Sequence, residues 1–281
     1  MINLNKLTEE EKRVIINKGT ERPFTGEYEE NKEEGLYTCR QCNSVLYKSE
    51  DKFNSGCGWP SFDDEIPGAV RKETDADGMR TEITCSKCDG HLGHVFIGEN
   101  ITPKNTRHCV NSISLKFIPS SEIEVAIFAS GCFWGTDFYL QKAVGVLHTT
   151  VGYIGGELDN PTYEDVCTGQ TKHAEAVEVY FNKNLTNFET LAKCYFETHD
   201  PTQVNGQGPD IGTQYRSEIF VTNEEQRKTS EALINELEAK GYDVATKISK
   251  ASRFWQAELY HQDYYELKGQ KPYCHIFQKK F

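Results

Sequence analysis

Apolar and polar positions change rhythm partway along the 281-residue chain. In residues 1–118 the apolar residues come in short alternating runs between polar, turn-rich stretches, which predicts strands rather than helices. The clearest run is SISLKFI, where Ile113, Leu115 and Phe117 alternate with polar neighbours and predict a strand. One short helix is expected near the start: Thr8 and Glu11 have capping-box spacing and Gly19 follows the end. The second half mixes periods. EVAIFAS predicts a buried strand running into Gly131, and EAVEVYF alternates as a strand. In TNFETLAKCYFETH, Phe188, Leu191, Ala192, Tyr195 and Phe196 recur at i, i+3, i+4, i+7 and i+8, an amphipathic helix. A further helix has Asn223 as cap, Gln226 three residues on and Gly241 as stop. IPSSEIE, between the halves, reads as a joint. The expectation is two domains: a mostly-β domain over 1–118, a linker over 119–124, and an α+β or α/β sandwich over 125–281.

Composition narrows the function classes. A net charge of −12 argues against a nucleic-acid partner, which needs a basic footprint. No run approaches the ~18 apolar residues of a membrane span, and MINLNKLTEEEK does not read as a secretory signal. Ten cysteines without an export signal fit a reducing compartment, the cytoplasm, where cysteines serve more often as ligands or reactive thiols than as staples.

Four of the ten form two C-x-x-C pairs, Cys39/Cys42 and Cys85/Cys88. Each pair lets two thiolates face one ion from a tight turn, and two turns complete a tetrahedron, so one structural zinc is expected here. Two disulfides or a thioredoxin-type redox pair are the alternatives; the latter needs a C-x-x-C opening a helix after a strand, and neither pair has that setting. Four thiolates close the coordination sphere, so such an ion does no chemistry itself. The H-x-E at His173 to Glu175 fits half of a zinc-deaminase motif, but the required P-C-x-x-C does not follow it.

Cys132 stands apart. In SGCFWG it follows a strand and opens a predicted helix, where free N–H groups and the helix dipole lower a thiol's pKa. The glycines at 131 and 135 are read as room for another molecule to approach the sulfur. Phe133 and Trp134 offer a pocket for a small apolar group, such as a methyl on a polarised sulfur.

With GYIGG, NPTY, HAEAVEV, GTQYRS and YHQDY following in order, residues 124–281 resemble a type A peptide methionine sulfoxide reductase. FNSGCGWPSF, HLGHVF and RHCVNSISLKF, around the two C-x-x-C pairs, resemble the type B enzyme over residues 5–118. The resemblance implies a bifunctional oxidoreductase that reduces both epimers of methionine sulfoxide, free or in proteins, the first half taking R and the second S. It implies Cys132 as the type A nucleophile, Glu175 as the acid, Tyr163 and Tyr215 as ligands of the sulfoxide oxygen, Asp210 as a supporting carboxylate, and Phe133 and Trp134 as the methyl box. In the first half it implies Cys109 as nucleophile, placed near the start of a strand, with Arg107 to stabilise its thiolate. Trp59 is then the methyl-box ring, His91 and His94 the donors to the oxygen, and Asn111 a polar orienter. Cys57 and Cys274 fall at the resolving positions, the latter on a tail expected to be mobile, with thioredoxin as external reductant; direct reduction by small thiols is the alternative. No organic cofactor is implied. Cys167 and Cys194 receive no role. Lys172 stands where the family usually has Gly, which would bring positive charge towards the acid, and Pro209 where Asn is common. Two other classes stay open: a zinc-stapled module that binds methionine-bearing segments, and a thiol peroxidase, against which the aromatic box speaks because peroxide has no methyl to hold.

Overall fold

The computed structural model describes residues 4–281. The chain divides into two compact units, Met1–Ile123 and Glu124–Phe281. The first opens with α1 (Glu9–Ile15), where Thr8 accepts from the Glu11 N–H and Glu11 reaches back to the Thr8 N–H, as the spacing predicted. Nine strands follow: β1 (Gly35–Cys39), β2 (Val45–Lys48), β3 (Lys52–Phe53), β4 (Ser61–Phe62), β5 (Val70–Thr74), β6 (Thr81–Cys85), β7 (His91–Ile97), β8 (Thr106–Val110) and β9 (Leu115–Pro119). They form a three-stranded sheet, β2-β1-β9, and a six-stranded sheet, β3-β4-β8-β7-β6-β5. Tyr37, Leu46, Tyr47, Phe62, Ile83, Leu92 and Leu115 fill the core between them, with Tyr47 stacked on Phe62 at 4.3 Å.

The second unit contains β10 (Ile123–Ser130), α2 (Phe133–Leu140), β11 (Val146–Ile154), α3 (Tyr163–Cys167), β12 (Ala174–Asn182), α4 (Phe188–Thr198), the hairpin strands β13 (Gly206–Gln207) and β14 (Asp210–Ile211), β15 (Ser217–Val221), α5 (Glu224–Ala239), β16 (Lys247–Lys250), β17 (Trp255–Gln256) and α6 (Tyr264–Lys268). Its main sheet has the order β16-β15-β10-β12-β11-β17, with the β15–β16 pair parallel. The apolar face predicted for α4 is buried: Phe188 and Tyr195 stack on Phe128 of β10 at 5.7 and 5.0 Å. Asn187 and Asn223 cap α4 and α5.

Three expectations are corrected. Ile113 is not in a strand: Ser112–Ser114 form a 3₁₀ turn and β9 starts at Leu115. The cause is Glu21, whose carboxylate takes the N–H groups of Ser112 and Ile113 at 2.8 and 3.4 Å and so withdraws them from a ladder. Cys109 lies fourth of the five residues of β8 rather than near a strand start, because pairing with β7 already begins at Thr106 opposite Ile97. The tail carrying Cys274 is packed rather than free: Cys274 and His275 are buried, and Phe281 lies against the core. The segment 119–124 holds the end of β9, the 3₁₀ turn Ser120–Glu122 and the first residues of β10. Among the described residues no helix is long and apolar enough to cross a membrane.

Because each unit buries its own aromatic core, Phe128→Ala should destabilise the second unit by about 3–5 kcal/mol. Calorimetry should show one unfolding transition moving down while the transition of the first unit stays in place.

Candidate active sites

In the first unit the six-stranded sheet sets the site by register. Cys109 of β8 pairs with Ser61 of β4 on one side and His94 of β7 on the other, and His94 pairs with Glu82 of β6. Residues directly opposite in antiparallel strands share a face, so these side chains form one row. The turn before β4 brings Cys57 to the row: its Sγ lies 3.7 Å from Cys109 Sγ, with Ser55 and Ser61 hydroxyls at 3.0 and 3.5 Å. Arg107, two residues from Cys109 on the same strand face, makes a two-pronged pair with Glu99 at 2.7 and 2.9 Å and lies over the Phe96 ring at 4.4 Å. Its charge also acts on Cys109, in the direction of the thiolate.

His91 donates from Nδ1 to Glu82 at 2.7 Å, and His94 Nε2 meets Asp75 at 2.7 Å. Trp59 Nε1–H donates to the Glu21 carbonyl at 3.0 Å. Asn111 is spent on the backbone, accepting from the Glu21 N–H and donating to the Leu92 carbonyl. The Glu21 backbone therefore holds both Trp59 and Asn111, a connection with no signal in the sequence.

Beyond this row, the sulfurs of Cys39, Cys42, Cys85 and Cys88 all lie within 4.8 Å of one another, with Cys39–Cys88 and Cys42–Cys85 both at 3.6 Å. A tetrahedron of ~2.3 Å metal–sulfur bonds has edges of ~3.8 Å, so four thiolates at these spacings fit one zinc ion.

In the second unit Cys132 caps α2 at its N-terminus and is 8% exposed. Its thiol meets that of Cys274 from the tail. His275 Nδ1 sits 3.2 Å from Cys274 Sγ, and its Nε2 reaches Thr136 Oγ1 at 3.3 Å. The two glycines have a different purpose from the one the sequence suggested. A Cβ on Gly131, at φ +94°, would meet Gln207 Cβ at 2.4 Å, and a Cβ on Gly135 would meet His275 Nδ1 at 2.1 Å. The room they leave is filled by this chain's own hairpin and tail.

The thiol pKa also departs from expectation. The Cys274 sulfur, burial and the nearby Glu175 raise Cys132, against the lowering effect of the Trp134 N–H. The same happens at Cys109, raised by Cys57 and by burial. In both pairs the second cysteine is the lowered one.

Glu175 of β12 stands opposite Tyr153 of β11 and is 2% exposed. Burial, Asp210 and Cys274 push its carboxyl up to about 8, although the Phe133 N–H donates to Oε2 at 3.1 Å. Asp210, on β14, is raised by burial and by Cys274. Tyr163 and Tyr215 both feel the Glu175 charge and are raised, chiefly by burial. The Trp134 ring stacks on Tyr264 at 3.7 Å, and its Nε1–H donates to His261 at 3.1 Å. Glu258 accepts from the Tyr153 hydroxyl and the Tyr163 N–H, both at 3.0 Å. Glu258, His261, Tyr264 and His275 were given no role from sequence, although YHQDY and KPYCHIF contain three of them.

Lys172 does not charge the acid's surroundings: its ammonium pairs with the exposed Glu157 at 2.6 Å. Its φ of +62° is a left-handed conformation that glycine adopts without strain, the physical reason for glycine there. His173 is a structural anchor, accepting from the Gly156 N–H and bonding the Leu158 carbonyl. Cys167 is exposed near Tyr163, and Cys194 is half-buried on α4.

Gly135→Ala should dislodge His275 and with it the tail. Alkylation of Cys274 by iodoacetamide should speed up several-fold, with about 1–3 kcal/mol lost from the second unit's stability.

Comparison with known proteins agrees with this division. Residues 124–281 match the family described as peptide methionine sulfoxide reductase, and residues 7–119 match the SelR domain. A peptide methionine sulfoxide reductase MsrA of Haloquadratum walsbyi is 46% identical over 154 residues, 54% of this chain and 88% of its own. The MsrA of Deinococcus radiodurans is 43% identical over 186 residues, covering 65% of this chain and 90% of its own. The crystal structure of Mxr1 from Saccharomyces cerevisiae in reduced form superposes with a TM-score of 0.54 at 34% identity, covering 56% of this chain and 93% of that one. With two thiol sites in two units and a family match to each, the chain belongs to the peptide methionine sulfoxide reductases, as an oxidoreductase in which a type B (SelR) domain precedes a type A domain.

Proposed function

We propose that each unit reduces one epimer of methionine sulfoxide, free or in oxidised proteins and peptides, the first unit the R form at Cys109 and the second the S form at Cys132. The observation that carries this reading is the repeated pairing of a nucleophile thiol with a second thiol in contact, Cys109 with Cys57 at 3.7 Å and Cys132 with Cys274.

In the second unit, Glu175 supplies the proton. Its Oε2 already accepts from Phe133, so the acid hydrogen rides on the other oxygen. The Cys132 thiol passes its proton to Cys274, the Cys132 thiolate attacks the sulfoxide sulfur, the oxygen takes the Glu175 proton, and the products are methionine and a sulfenic acid on Cys132. Tyr163 and Tyr215 hold the oxygen, Asp210 supports them, and Phe133 and Trp134 hold the methyl. Cys274 thiol then condenses with the sulfenic acid, forming the disulfide and releasing water. An external dithiol, thioredoxin, reduces that disulfide and becomes oxidised itself. In the first unit Cys109, Cys57, His91, His94, Arg107, Asn111 and Trp59 take the corresponding parts. Two pockets are needed because exchanging oxygen and methyl in one pocket sets the oxygen against rings and leaves donors unpaired, at about 1–3 kcal/mol per buried group. One structural zinc ion, held by Cys39, Cys42, Cys85 and Cys88, ties the two turns of the first unit together and does no chemistry.

The deciding assay is turnover of separated R and S epimers of dabsyl-methionine sulfoxide in dithiothreitol. Cys109→Ser should lose R turnover alone and Cys132→Ser S turnover alone; a binding module would turn over neither, and a peroxidase would prefer hydroperoxide. S turnover should fall as pH rises through about 8, because Glu175 gives up its proton there. Glu175→Gln should lower kcat by ~10²–10⁴ and remove that alkaline decline. Extraction of metal by a chelator should unfold the first unit, abolishing R turnover while S turnover persists.

A further inference from the structure

One buried carboxylate beside the first site has no part in the reading above. Glu82 lies within β6, 4% exposed, in the cross-strand row Ser61, Cys109, His94, Glu82, Glu73. Its side chain therefore leaves the sheet on the face of the Cys109 side chain, two strands away. Both oxygens are taken. Oε1 meets His91 Nδ1 at 2.7 Å, and Oε2 meets Lys18 Nζ, from the segment after α1, at 2.6 Å. Burial works to raise this carboxyl, but the bonds from Lys18 and His91 hold it below the ordinary range, so it stays charged.

The consequence falls on His91, which is 3% exposed. A carboxylate only accepts, so the nitrogen facing Glu82 carries the hydrogen and Nδ1–H is fixed. That leaves Nε2 to gain or give the second proton. Nε2 is buried and has no hydrogen-bond partner in the protein. The His94 ring lies 5.7 Å from the His91 ring and stands opposite Cys109, but its Nε2 is committed to Asp75. Of the two histidines, His91 combines an unpartnered Nε2 with a buried charge behind the ring.

We propose that Glu82 is a positioning residue for the first site: anchored by Lys18, it fixes His91 so that Nε2 presents the proton taken up by the sulfoxide oxygen. This rests on the reading that Cys109 reduces the sulfoxide. The balance is that of the second unit: Cys109 passes its thiol proton to Cys57 and reacts as thiolate, its sulfur is oxidised to S–OH, the methionine sulfur is reduced to thioether, and the proton on the transferred oxygen comes from His91 Nε2, leaving a neutral ring. The charged and titratable groups facing His91 are Glu82, His94 and Lys18, with Asp75 and Glu73 around Lys18. Burial lowers His91, Glu82 raises it, and His94 and Lys18 lower it, which leaves the ring below the ordinary histidine range and makes its donating, protonated form grow as pH falls. Removing the Glu82 charge therefore makes His91 harder to protonate at neutral pH.

The test compares kcat/KM for the R epimer against pH in the full chain as wild type, Glu82→Gln and Glu82→Asp, with the S epimer as internal control. Glu82→Gln should move the alkaline limb about one unit towards acid, about a tenfold loss near neutral pH, through kcat rather than KM. Glu82→Asp should recover most of it, and S turnover should not change. An unshifted R profile in a folded Glu82→Gln overturns the proposal. Nitrogen-15 spectra of wild-type His91 give an independent answer should that variant not fold: the Nδ1–H tautomer is expected, and the Nε2–H tautomer overturns it. A wild type that reduces S but not R overturns the functional reading of the first unit instead, and the tautomer then decides the Glu82–His91 arrangement by itself.

Discussion

Everything in both sites depends on holding two thiols in contact inside the protein. A sulfur alone in a core is only a small hydrophobe. Two sulfurs in contact shift each other's ionisation in opposite directions, and in both units the lowered member is the second cysteine. The units reach this by different means. In the first, strand register sets Cys109 between Ser61 and His94, and a turn delivers Cys57. In the second, a helix start presents Cys132 and a packed C-terminal segment delivers Cys274. The first device is built into hydrogen-bonded ladders. The second is held by side-chain packing of a segment without regular structure.

The carboxyl groups follow the same division. In the second unit, Glu175 is raised towards neutrality by burial and by the charges of Asp210 and Cys274, with one backbone N–H opposing. In the first, Glu82 is also closed to solvent but less deeply enclosed, has a lysine and a histidine on its two oxygens, and stays ionised. Depth and partners together decide which carboxyl keeps its proton.

Local signals were legible in the sequence. The Thr8–Glu11 capping box, the apolar face of α4, the Asn223 cap of α5 and the β10 strand running into Cys132 all involve residues within a few positions of one another. The four-cysteine cluster was legible because its ligand spacing has few other physical uses. What escaped was set by partners distant in the chain. Ser112 and Ile113 leave the strand for Glu21, about ninety positions away; Gly131 and Gly135 serve Gln207 and His275; Lys172 turns to Glu157. Glu82 carried no signal because a lone acidic residue between strand residues reads as an ordinary solvated side chain, and only the fold shows it between Lys18 and His91.

The fit of Gly135 against His275 also bears on how such chains can diverge. The imidazole occupies the volume that a methyl at 135 would need. A descendant that acquires any side chain at 135 keeps a seated tail only by shrinking the residue at 275. The two positions, 140 apart along the polypeptide, are therefore expected to drift as a pair across related sequences, although neither donates nor accepts a bond from the other.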